Sequence, residues 1–235
     1  MIKDSKFYKE WTKLKSDLKP MTFRQKLDHL WTYYKEFVWL GAVVVLVLGV
    51  VIGSVINGSK DVLVSGMYVN ITMDAEGFEY MDSEYFQALG GDPKKHVEGL
   101  IEYSNFTDLE DPTNHEDQNT QMMILWARVE GEYMDYGLLD QLALEHYMPN
   151  EFFKDLRELF SEEMLQSLGN KVIWAKEKNS EEAIPLAINI ADLPFAKDNH
   201  LNNGEPAYFV VSTRTKRPEM CIDAWNRINA WEGKK

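Results

Sequence analysis

The feature that most constrains this chain is an uninterrupted apolar run. Residues 37–56 read FVWLGAVVVLVLGVVIGSVI, with no charged side chain and many Val and Leu. An α-helix of this length extends ~30 Å, the thickness of a bilayer's hydrocarbon layer. The run is therefore read as a transmembrane signal-anchor helix. A cleavable signal peptide fits less well, because its apolar core is shorter and its charged lead is brief. Here 36 residues precede the run, and no Ala-x-Ala site follows it.

Charge divides around the run. Residues 1–36 carry nine Lys/Arg and five Asp/Glu, whereas the whole chain carries 25 and 38, for a net charge of −13. Basic residues beside a span hold their side in the cytoplasm. This places the N-terminus inside the cell membrane and the C-terminal part outside, as a single-pass protein. Four segments follow: a basic amphipathic cytoplasmic lead (1–36), the span (37–56), a short linker (57–60) and an extracytoplasmic domain (61–235). Trp31, Tyr34, Phe37 and Trp39 sit where an interfacial aromatic belt belongs. Gly49 and Gly53 form a small-xxx-small pair of the kind that brings two helices together, and so offer a homodimer contact. The lipid bilayer is the first expected partner. The acidic balance disfavours nucleic acid, since phosphate neutralisation needs a basic surface.

Residues 61–235 are long enough to enclose a core of their own. Alternating, β-branched stretches predict strands over 61–73, 96–106, 133–139, 171–177, 183–190 and 207–212. Helical periodicity predicts helices over 78–89, 116–130, 140–147, 151–168 and 218–231. Strands and helices alternate in the first half, so the expected fold class is α/β, a single mixed-sheet domain behind one N-terminal transmembrane helix.

The search for chemistry yields little. There is no GxGxxG, no GxxxxGK[ST], no HExxH and no GxSxG. The histidines, His29, His96, His115, His146 and His200, have no ligand-spaced partners, and the lone Cys221 has no paired base in its surroundings in the sequence. The acidic stretch with Asp108, Glu110, Asp111, Glu116 and Asp117 departs from the calcium-loop spacing. No catalytic residue, metal site or cofactor is assigned. In an α/β domain ligands gather at loops beyond the strand carboxyl ends. Asp135, Tyr136 and Asp140 around one strand, with Asp192, Phe195 and Asp198 after another, are therefore the ligand-binding candidates. The alternative is that Asp140 and Asp192 simply cap a helix or turn.

Two runs carry a resemblance. QMMILWARVEGEYMDYGLLDQLAL (121–144) and GEPAYFVVSTRTKRPEMCIDAWNRINAW (204–231) resemble parts of periplasmic-binding-protein-like domains. The chain as a whole, with Leu30-Trp31-Thr32-Tyr33-Tyr34-Lys35 before the run, resembles uncharacterised single-pass membrane proteins of gut Clostridia. The resemblance implies a reduced solute-binding lobe. The expected function is a membrane-anchored, non-catalytic binding or interaction module with an unidentified extracytoplasmic ligand or membrane-protein partner. Two alternatives stand beside it: an accessory subunit of a membrane complex, and an extracytoplasmic hydrolase with a carboxylate pair.

Overall fold

The computed structural model describes residues 12–13, 15–16, 18–58, 60–105, 115–176 and 182–233, apart from the side chains of Leu27, Leu30, Tyr33, Tyr34, Phe37, Val38, 54–58 and 115–122. The chain divides into two compact units, residues 1–59 and 60–235.

The first unit holds α1 (Phe23–Gly58), 36 residues long. It starts as the sequence suggests. Gln25 Oε1 accepts the Thr22 N–H at 2.9 Å, the reciprocal half of a capping box. The expectation of a membrane span is corrected. Among the described residues no helix is long and apolar enough to cross a membrane. Phe37, Val38 and residues 54–56, which completed the expected span, lie outside the described side chains, as does Tyr34. Trp31 and Trp39 are exposed. A Cβ built on Gly49 or Gly53 would meet nothing of this chain within 4 Å. The assignments resting on the span are withdrawn with it. These are the single-pass topology, the signal anchor, the cytoplasmic and extracytoplasmic sides, the bilayer as a partner, the membrane-protein partner and the homodimer through the span.

The second unit is an α/β domain. In chain order its elements are β1 (Gly66–Val69), α2 (Ala75–Met81), α3 (Ser83–Ala88), β2 (Ile101–Ser104), α4 (His115–Glu130), β3 (Tyr136–Asp140) and α5 (Gln141–Tyr147), then α6 (Glu162–Leu168), β4 (Val172–Lys176), β5 (Ala183–Asn189), α7 (Pro194–Asp198), β6 (Ala207–Val211) and α8 (Pro218–Asn229). The six strands form one sheet in the order β2-β1-β3-β6-β5-β4. β1 pairs in parallel with both β2 and β3; the other three pairings are antiparallel.

The central strands are buried on both faces, which explains their near-continuous apolar sequences. Every residue of β1 and β6 is buried. Side chains alternate across the sheet. Tyr68, Tyr136, Leu138, Ile188 and Phe209 face one core, filled from α2, α3, α7 and α8 by Met81, Tyr85, Phe195 and Trp225. Met67, Val69, Leu139 and Val210 face the other, covered from α4 and α5 by Leu125, Val129, Ala143 and Leu144. At Gly66 the backbone of β1 comes close to the first core. A Cβ there would lie 2.7 Å from the Tyr136 ring.

The expected helix over 151–168 is also corrected. Glu151 takes a left-handed φ of 59°, and Phe153 bridges Ser212 beyond the end of β6. Only Glu162–Leu168 is α-helical, behind a 3-10 turn at Leu156–Glu158. The apolar residues still face inward, with Phe152, Phe153, Leu156, Phe160 and Leu165 all buried. Periodicity located the burial, while the backbone bonds went to the sheet.

Candidate functional site

The chain leaves β1 for β2 on one side and reaches β3 on the other. Between the carboxyl ends of β1 and β3 lies the switch point at which open α/β sheets place ligands. Asn70 follows β1 directly, and its φ of 55° is a left-handed conformation that asparagine tolerates. Its side-chain amide donates to Asp140 Oδ2 at 3.3 Å. Asp140 ends β3, and its Oδ1 accepts the Ala143 N–H at 2.8 Å, capping α5. Half-burial pushes the Asp140 carboxyl up from its ordinary value, against the opposing pull of Ala143 and Asn70.

Polar groups continue around this edge. The Tyr208 hydroxyl donates to Gln141 Oε1, and the Gln141 amide donates to Glu145. Burial, then Glu145, raise the Tyr208 phenol. The segment 200–206 closes the rim. The Asn202 N–H donates to Thr72 O at 2.7 Å, and the Asn203 amide to Thr72 Oγ1 at 3.2 Å. His200 Nδ1 lies 2.8 Å from Asp74 Oδ2. Asn70, His200, Asn202 and Asn203 all have positive φ, and such backbone strain concentrates at functional edges.

The residues singled out in the sequence are scattered. Asp135 and Asp140 flank opposite ends of β3, ~17 Å apart at ~3.3 Å per residue. Asp135 is fully buried in a knot of its own. Its Oδ2 accepts Arg217 Nε at 2.9 Å and the Ser65 N–H at 2.8 Å, while Thr215 Oγ1 donates to Oδ1 at 2.6 Å. Arg217 Nη1 donates onward to Val62 O at 3.0 Å. Every oxygen of Asp135 is engaged by the protein, so it ties segments together. Tyr136 lies in the core, where burial raises its phenol. Asp192 pairs with Lys197 at 3.3 Å on the surface. Phe195 is fully buried, and Asp198 accepts Trp231 Nε1 at 2.9 Å.

Cys221 is buried near Asp135, and its thiol is pushed up to about 12, by burial first and by Asp135 second. A thiol so held is not a nucleophile at neutral pH. Among the described residues no group of three or more His, Cys, Asp and Glu is placed to hold a metal ion. Sequence reasoning missed Asn70, Gln141, Tyr208 and the 200–206 segment. The only local signal was the asparagine-rich His200-Leu-Asn-Asn-Gly204, which favours left-handed turns.

No family model, no curated protein and no solved structure matches the chain. The resemblances to periplasmic-binding-protein-like domains and to clostridial single-pass membrane proteins are corrected accordingly. What the fold defines is an α/β domain built on one six-stranded mixed sheet. No helix among the described residues is long and apolar enough to stand before it as a membrane anchor.

Proposed function

We propose that residues 60–235 form a non-catalytic recognition module for a small, neutral, polar molecule, bound at the carboxyl ends of β1 and β3. The supporting observation is the Asn70–Asp140 pair at the switch point, framed by the Gln141 and Tyr208 chain and by the left-handed turn at 200–204. Beyond these bonds the Asp140 carboxyl oxygens and the Tyr208 phenol oxygen keep lone pairs, which adjacent hydroxyl or amide groups of a ligand would match. Nothing in the arrangement pairs a nucleophile with a base, because Asp140 serves Ala143 and Asn70. This favours binding over catalysis.

The test is thermal unfolding of the full chain against a panel of monosaccharides, amino acids and short peptides. Saturation at ~100 times Kd adds ~2.7 kcal/mol of stability and a correspondingly higher Tm. A cognate class raises Tm in the parent chain, and N70A/D140N abolishes the shift. A flat panel, or a shift unchanged in N70A/D140N, overturns the assignment.

A further inference from the structure

The sheet ends in an open edge. β4 is the last strand of the order, and among the described residues it pairs with β5 alone. Opposite Trp174 on β5 stands Pro185. Proline has no N–H, so these two residues cannot exchange the two backbone bonds of a hydrogen-bonded pair. The Trp174 N–H and C=O therefore point away from β5. Among the described residues no backbone bond outside the sheet takes them up.

The side chains along this edge are equally unengaged. Trp174 is 53% exposed. Beside it a groove of about 350 Å³ opens between α6 and β4, with Leu165, Gln166 and Gly169 in its lining. Arg157 borders the groove but is held by Asp155 and Glu182. Lys171 precedes the strand and Lys176 ends it, on opposite faces by alternation. Among the described residues neither lysine joins an ion pair.

Lysines on an edge strand ordinarily deter pairing with another strand. Here an exposed indole and a groove lie between them, so they select the incoming strand rather than refuse every one. The chain's net charge of −13 disfavours acidic segments over its surface as a whole. Two free cations bracketing an open edge fix where such a segment lands, and in which register.

We propose that β4 is a docking edge for an extended acidic segment of a partner protein. The segment adds antiparallel to β4 and exchanges backbone bonds with Trp174. One apolar side chain enters the groove beside Trp174 and Leu165, and terminal carboxylates face Lys171 and Lys176. The edge lies beyond β6 and β5 from the Asn70–Asp140 pair, and the proposal does not depend on that site.

Isothermal titration of the full chain with acetyl-Glu-Thr-Val-Thr-Val-Glu-amide tests the assignment. In the antiparallel arrangement the first valine of this peptide stands opposite Trp174. Saturable binding at one site is expected, weaker at higher salt. K171E/K176E weakens it by about tenfold and gains affinity for acetyl-Lys-Thr-Val-Thr-Val-Lys-amide. Both substitutions lie at the ends of an edge strand, and an unchanged unfolding midpoint confirms that the fold is intact. A peptide with proline in place of the first valine lacks the N–H that Trp174 O would accept, and it loses the binding. Heat that fails to saturate, or an affinity equal in the parent and K171E/K176E, overturns the proposal. So does a proline peptide that binds as well as the valine one, because attraction of charge without strand addition gives that result. N70A/D140N leaves this titration unchanged, which separates it from the ligand panel above.

Discussion

Asp140 shows how far a single residue can be read from sequence. An aspartate before a helical pattern reads as an N-cap, and it is one, with Ala143 as its donor. Its contact with Asn70, 70 positions away, depends on two strands pairing and leaves no trace in either local sequence. The contact has a pH consequence. Burial raises the Asp140 carboxyl above its ordinary value of ~3.9, so the folded chain holds the proton more tightly than the unfolded chain. The stability this contributes is fully present below the unfolded pKa and is lost as pH rises through the higher folded one. Urea unfolding across acid pH should show this decline in the parent and not in D140N, which retains a capping oxygen. A parent profile that rises more steeply than that of D140N would contradict the direction. For the other acidic candidates, sequence reports a carboxylate but not its neighbours. Asp135 looked like part of a binding edge, and the fold surrounds it with Ser65, Thr215 and Arg217.

At the scale of elements, most strands and helices were legible and the exceptions are instructive. β3, β5, β6, α5 and α8 fall where alternation and caps placed them. The 151–168 stretch did not, because helical spacing of apolar residues is also satisfied by an irregular chain draped over a core. Ser161 marks where the helix begins. It is a serine followed by Glu162 and Glu163, and its Oγ accepts the Met164 N–H at 3.3 Å. Acidic residues in the first turn reinforce that start. S161A should therefore cost about 1 kcal/mol in urea unfolding, and S161D should recover most of it. No change in S161A would mean that packing of Leu165 alone sets the start of α6. The apolar run in α1 teaches the complementary lesson. Its composition specified a helix and an exposed apolar surface. A bilayer was a further inference about surroundings, and among the described residues no helix is long and apolar enough to cross one.

At the scale of the whole domain, the Asp135–Arg217 pair joins four segments: the chain before β1, the start of β3, the turn after β6 and the start of α8. Removing one partner of a buried pair leaves the other charge without compensation, which costs about 3–5 kcal/mol. R217M should lower stability by that amount in urea unfolding, and D135N/R217M should recover part of it. A loss below about 1 kcal/mol in R217M would show that water replaces the guanidinium. The sequence by itself determined what is local: which stretches are apolar, where helices begin, the acidic balance and the absence of the common catalytic motifs. These follow from side-chain periodicity and from capping chemistry acting within a few residues. Tertiary structure alone decided the strand order, the burial of Asp135 and the meeting of Asn70 with Asp140. The last two of these join segments 70 or more residues apart. Such contacts exist only after β1 has been placed between β2 and β3, a choice made by the packing of both sheet faces together.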